Sequence, residues 1–60
     1  MSISGRDLAM LGMMSKDFNE NGLSWDEIKE KMSKKRVDEE KFEMFKSVIL
    51  KANEMRKQQQ

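Results

Sequence analysis

The segment from Asn21 to Ile28, NGLSWDEI, constrains the fold of this chain more than any other feature. Asn21-Gly22 is typical of a helix end, because glycine readily adopts the left-handed conformation that follows a last helical turn. Ser24 and Glu27 then have the spacing of a capping box, which begins a helix. The segment therefore predicts that one helix ends and another begins within a few residues.

The second helix is predicted over residues 25–35. Leu23 and Ile28 flank its start at the positions of a hydrophobic staple, which fixes the direction in which the chain enters the helix. Trp25, Ile28 and Met32 recur at helical spacing and share one side. We expect this arrangement to fold the second helix back so that Trp25 meets the first.

The first helix is predicted over residues 5–21, with Ser4 as its N-cap and Asp7 at the position of a capping-box acid. Its apolar stripe consists of Leu8, Leu11, Met14 and Phe18, with Met10 beside them. Gly12 lies inside this helix and costs up to about 1 kcal/mol relative to alanine. It either permits a close helix contact or is merely tolerated.

The third helix is predicted over residues 38–56, with Val37 and Phe42 as another staple. Its central stripe is Phe42, Phe45, Ile49 and Ala52, flanked by Met44, Val48 and Met55. At about 100° per residue these side chains cover roughly 160° of the helix. Two helices packed on either side would use such a wide face, and so would a second copy of the chain. From about residue 57 the pattern is lost, which predicts a frayed tail.

These segments predict a single all-α domain over residues 1–60 that contains three helices. A chain of 60 residues buries only about 60% of the surface that its unfolded form exposes. The chain has no Cys, which excludes disulfides and thiolate metal sites, and no His. Its stability must therefore come from the helical core, from self-association or from a bound calcium ion.

The sequence predicts a cytoplasmic protein that does not enter a membrane. No apolar run approaches the about 20 residues that a membrane-spanning helix needs. The N-terminal residues MSISGRDLAM include an early acid and no long apolar core, unlike a secretory signal.

Residues 17–27 resemble the EF-hand calcium loop in their first half, where Asp17, Asn19, Asn21 and Gly22 match its pattern. The second half matches only if one residue is deleted after Gly22, so that Glu27 becomes the last ligand. Without that deletion the final position is Ile28, which cannot bind calcium. Degenerate calcium binding is therefore a minor alternative, because helix capping explains the same residues without an ion.

Catalysis is not expected, and neither is a cofactor. The chain has no His, Cys or Tyr, so the usual bases and activated nucleophiles are missing. It also has no glycine-rich loop that could hold a phosphate.

The charge of the chain is divided between its two parts. Residues 1–28 carry two basic and five acidic side chains, whereas residues 29–60 carry ten basic and six acidic ones. The basic residues concentrate in one short stretch that contains Lys29, Lys31, Lys34, Lys35 and Arg36. This patch could bind the phosphates of a nucleic acid. The favoured interpretation is a solvated helix end, with Glu27–Lys31 and Glu30–Lys34 as i,i+4 pairs.

Seven methionines are many for 60 residues, and methionine-rich surfaces adapt to varied protein partners. The residues that we expect to contact such a partner are Met13, Met44, Leu50 and Met55. The sequence thus predicts a small non-catalytic regulatory or adaptor protein that binds a macromolecule, with protein as the favoured partner. Nucleic acid is the alternative partner, and a homo-oligomer is a further expectation.

Overall fold

The computed structural model describes residues 3–58, which form three α-helices and no strand. These are α1 (Gly5–Asn19), α2 (Trp25–Lys34) and α3 (Glu39–Gln58). The predicted all-α, three-helix fold is confirmed, with helix ends that differ from the predicted ones by one or two residues. The helix α3 extends to Gln58, two residues beyond its predicted end, and residues 59 and 60 of the predicted tail lie outside the described residues.

The joint between α1 and α2 has the predicted stop and start signals. Gly22 has a φ of 68°, in the left-handed region that favours glycine. At the start of α2 the backbone N–H of Ser24 donates to Glu27 Oε1 at 3.0 Å, and the N–H of Glu27 donates to Ser24 Oγ at 3.2 Å. This reciprocal pair is a complete capping box, as predicted.

Trp25 connects all three helices. Its ring stacks on Phe18 of α1 with centroids 4.4 Å apart, and it meets the edge of Phe42 of α3 at 6.2 Å. The ammonium of Lys46 lies over the same ring, 5.6 Å from its centroid. The expectation that α2 folds back to bring Trp25 onto α1 is confirmed.

The core is small and draws on every helix. Its buried apolar residues are Met14 from α1, Ile28 and Met32 from α2, Val37 from the following loop, and Phe42, Phe45 and Ile49 from α3. Met10, Leu11, Phe18, Leu23 and Trp25 pack against it while half-buried. Both predicted staples supply residues to this core.

Leu8 is an exception, because its side chain is 57% exposed although the sequence pattern placed it in the core stripe of α1. The buried side of α1 is instead centred on Met14 and Asp17, and Asp17 is only 5% exposed. A buried carboxylate is not expected from an apolar pattern. Its burial rotates the covered side of the helix away from Leu8.

The helices α1 and α3 run in the same direction. Near their starts Lys41 Nζ donates to Asp7 Oδ1 at 3.2 Å, and near the end of α1 the amides of Asn19 and Asn53 exchange hydrogen bonds of 3.2 and 2.9 Å. The carboxylate of Asp7 thus binds a neighbouring helix, while the backbone N–H of Asp7 donates to the Ser4 N-cap. Because α2 connects the end of α1 to the start of α3, it runs in the opposite direction.

Arg36, two residues after the last residue of α2, has an unusual backbone conformation. The N–H of Val37 donates to the carbonyl of Met32, and the N–H of Arg36 to that of Ser33, both at 3.0 Å. These two bonds define a Schellman motif, in which the residue at the position of Arg36 is left-handed and is most often glycine. Arg36 has a φ of 64°, which is unfavourable for a residue with a Cβ.

We expect Arg36→Gly to raise the free energy of unfolding by about 0.5–1 kcal/mol, because glycine adopts the left-handed conformation without strain. The gain is partly offset by the greater freedom of glycine in the unfolded chain. Urea unfolding followed by circular dichroism measures the change. Lys35→Gly is the matched control, because Lys35 has a φ of −93°, and we expect it to lower stability. A loss of stability in Arg36→Gly would show that the side chain makes a compensating contact.

Candidate functional site

The four residues predicted to contact a protein partner do not share one surface. Met44, Leu50 and Met55 are 55%, 41% and 53% exposed, and Met13 is half-buried. Met44 and Met55 are eleven residues apart, which is close to three helical turns, so they lie on one side of α3. Leu50 is on another side of α3. Met13 precedes Asp17 by one turn and therefore lies on the side of α1 that borders α2.

Val48 and Leu8, which are not among the predicted contact residues, complete the surface of Met44 and Met55. Val48 follows Met44 by one turn and is 49% exposed, and it lines a groove together with Leu8. We call this surface the α1–α3 face and define it by Leu8, Gly12, Met44, Val48, Ala52 and Met55. Val48 could have been found from its i,i+4 spacing to Met44. Leu8 gave no such signal, because the sequence pattern assigned it to the core.

A shallow groove runs between the two helices of the α1–α3 face. Its volume is about 230 Å³, and Leu8, Gly12, Val48 and Ala52 are among its lining residues. Small-molecule sites usually enclose about 300–1,000 Å³, so the groove better fits a single long apolar side chain from a partner. Ile3 precedes the N-cap of α1 in the staple position for Leu8, and at 48% exposed it extends the apolar surface.

Gly12 lies in this groove without a partner in its own chain. A Cβ placed on Gly12 would meet no heavy atom within 4 Å. The packing of α1 within the chain therefore does not require glycine at this position. Of the two explanations that the sequence left open, a close contact with α2 or α3 is excluded for the described residues.

A second and wider groove lies at the end of α1. It has a volume of about 770 Å³ and is lined by Phe18 and Leu50 together with Asn19, Asn53, Glu54 and Lys57. The paired amides of Asn19 and Asn53 lie at its edge. This groove brings Leu50 next to the half-buried Phe18 ring, and it adjoins the groove of the α1–α3 face, since Asn53 and Arg56 line both.

Three of the five residues in the basic stretch form ion pairs within the chain. Lys29 binds Glu39 at 3.3 Å, Lys31 binds Asp17 at 2.8 Å and Lys34 approaches Glu30 at 3.9 Å. The predicted Glu30–Lys34 pair is therefore present, whereas Lys31 binds Asp17 on α1 instead of Glu27. These contacts use much of the positive charge that the stretch was predicted to offer to phosphates.

The fold adds another basic residue to the end of that stretch. The guanidinium of Arg6 donates to the carbonyl oxygen of Lys35 at 2.5 Å and so lies against the end of α2. We call Arg6, Lys34, Lys35 and Arg36 the basic end. Arg6, Lys35 and Arg36 form none of the ion pairs found among residues 3–58. The sequence pattern could not assign Arg6 to the basic end, because Arg6 is 29 residues from Lys35 along the chain.

The carboxylate of Asp17, the first residue of the calcium-like segment, is used by contacts within the chain. Lys31 Nζ donates to one of its oxygens at 2.8 Å and Asn21 Nδ2 to the other at 3.1 Å. The hydrogen bond from Lys31 lowers the pKa of Asp17 below its ordinary value, although burial acts in the opposite direction. A calcium ion at Asp17 would have to displace a bound ammonium group.

Glu27, the last candidate ligand of that segment, is part of the capping box. The backbone N–H and the hydroxyl of Ser24 both hold the pKa of the Glu27 carboxyl below its usual range. Within residues 3–58 no three carboxylate side chains come close enough together to hold a metal ion.

No protein-family model matches the chain, and no match was found among curated proteins or solved structures. Among the helices of residues 3–58, none is long and apolar enough to cross a membrane.

Proposed function

We propose that this chain is a small non-catalytic regulatory or adaptor protein that binds a protein partner through its α1–α3 face. The observation that carries the proposal is the exposed apolar stripe of Met44, Val48 and Met55 beside Leu8. Each of these four side chains is about half exposed, in a chain with 38% charged residues and a mean hydropathy of −0.88.

Contiguous exposed apolar patches larger than a few hundred Å² usually mark a binding surface. Burial of apolar surface contributes about 25 cal/mol per Å², so covering the four side chains is a substantial source of binding free energy. Methionine also suits a contact surface, because its unbranched side chain adapts to the shape of the partner.

Photo-crosslinking tests this proposal directly. A photoreactive amino acid at position 48 places the reactive group on the α1–α3 face, and the same group at position 50 places it on another exposed side of α3. In the native cell we expect crosslinks to protein from position 48 and far fewer from position 50. Equal labelling at both positions, or none at position 48, would contradict the proposal.

Nucleic-acid binding by the basic end is the second candidate, and the contact of Arg6 with Lys35 favours it. That contact places the guanidinium of Arg6 beside Lys35 and Arg36. Neither Lys35 nor Arg36 takes part in the ion pairs found among residues 3–58. Titration of the chain with nucleic acid at two salt concentrations tests whether the basic end binds phosphates. A steep loss of affinity with salt, reduced in Arg36→Gln, would support this candidate, and no binding at low salt would exclude it.

A further inference from the structure

We infer that the protein that covers the α1–α3 face is a second copy of this chain, packed with its α3 antiparallel to the first. This inference rests on the proposed function, since it takes the α1–α3 face to be a protein-binding surface. It goes further by naming the occupant and its orientation.

The charge distribution of α3 is the first argument. Glu40 lies in its first turn, close to the side of Met44, whereas Arg56 lies in its last turn and lines the groove of the α1–α3 face. An antiparallel copy places the acidic start of each α3 beside the basic end of the other. The dipoles of the two α3 helices are then antiparallel as well, which is electrostatically favourable. A parallel copy would place like charges together, and such juxtapositions are destabilising at interfaces.

The spacing of the apolar stripe is the second argument. Met44 and Met55 are at its two ends, with Val48 between them. A two-fold axis near the middle of the stripe places Met44 of each copy opposite Met55 of the other, so that apolar groups meet at both ends. This is the self-complementarity that a two-fold interface requires, in which one patch serves both subunits.

The shape of the face is the third argument. The Cα atoms span 36 × 30 × 16 Å, so the fold is flattened. From Met44 to Met55 the stripe is about 16 Å long, and α1 widens it. The groove beside Gly12 has room for a methionine side chain of the second copy.

Sedimentation equilibrium of the full 60-residue chain tests the second copy. We expect a reversible monomer–dimer equilibrium, and we expect Val48→Glu to raise its dissociation constant at least about 30-fold, as a central interface residue does. Leu50→Glu is the matched control, because it adds the same charge on another exposed side of α3. Both positions are exposed, and circular dichroism verifies that both variants fold. A wild-type chain that remains monomeric at millimolar concentration would overturn the inference, as would equal weakening by the two variants.

Disulfide trapping tests the orientation, since the chain contains no cysteine of its own. Met44→Cys and Met55→Cys are made separately, mixed in equal amounts and oxidised. An antiparallel pair predicts that the mixed disulfide between positions 44 and 55 forms faster than either symmetric disulfide. Faster formation of the symmetric disulfides would overturn the antiparallel arrangement.

The crosslinking experiment separates failure of this inference from failure of the proposed function. A crosslinked product from position 48 with twice the mass of the chain supports both. If the purified chain is monomeric and position 48 crosslinks to a different protein, the inference is overturned while the proposed function stands. If position 48 crosslinks to no protein, both are overturned.

Discussion

Phe42→Ala is expected to remove at least about a third of the free energy of unfolding of the chain. The Phe42 side chain is 2% exposed, and it meets the edge of Trp25, which connects the three helices. Truncation of a buried phenylalanine to alanine lowers stability by about 3–5 kcal/mol, because the cavity is only partly filled by neighbouring atoms. A domain of this size has a total stability of only about 3–9 kcal/mol.

Circular dichroism at 222 nm during urea titration measures this effect. Leu50→Ala is the control, since Leu50 is 41% exposed and lies outside the core cluster, and we expect it to change stability by less than about 1 kcal/mol. A Phe42→Ala chain that unfolds cooperatively with nearly the wild-type midpoint would contradict the described core.

Asp17→Asn is expected to lower stability by about 1.5–3 kcal/mol at pH 7, the contribution typical of hydrogen bonds to a charged group. The asparagine keeps the shape of the side chain but removes the charge that binds Lys31 at 2.8 Å. Because Asp17 is buried, water cannot replace the lost contact easily. Glu54→Gln is a matched control, since Glu54 is exposed and forms none of the ion pairs among residues 3–58.

The ion pair between Asp17 and Lys31 also predicts that the stability of the chain depends on pH. Since the pKa of Asp17 is lower in the folded chain than in the unfolded chain, its stabilisation is fully present above the ordinary value of 3.8 and is lost as the pH falls through the folded pKa. Urea titrations from pH 7 to pH 2 should therefore show that wild type and Asp17→Asn converge in acid. A constant difference over this range would contradict the ion pair.

Calcium provides a further check on Asp17. We expect millimolar calcium to leave the melting temperature unchanged, because Lys31 and Asn21 already use both carboxylate oxygens. A rise in melting temperature that Asp17→Asn abolishes would instead support the calcium-like interpretation of residues 17–27.

Local signals in the sequence were sufficient to predict the fold. The position of Gly22 and the spacing of Ser24 and Glu27 depend only on neighbouring residues, and capping motifs have a fixed geometry. The apolar spacing in α2 and α3 identified Ile28 and Phe42 as core residues for the same reason. Each of these predictions needed knowledge of one helix and its ends.

The surfaces were harder to predict, because they depend on how the helices pack. Leu8 fits the apolar stripe of α1, but burial of Asp17 by Lys31 of α2 leaves Leu8 exposed. Arg6 reaches Lys35 only in the folded chain. The left-handed Arg36 also lacked a signal, because the motif it completes usually contains glycine.

The most direct test of the α1–α3 face uses methionine methyl groups as reporters. The chain is labelled with ¹³C at these methyls, and their relaxation by a dissolved paramagnetic agent is measured over a concentration series. If a second copy covers the face, relaxation of Met44 and Met55 decreases as the concentration rises, while the fully buried Met14 and Met32 remain protected throughout. Unchanged relaxation of Met44 and Met55 at every concentration would contradict the account.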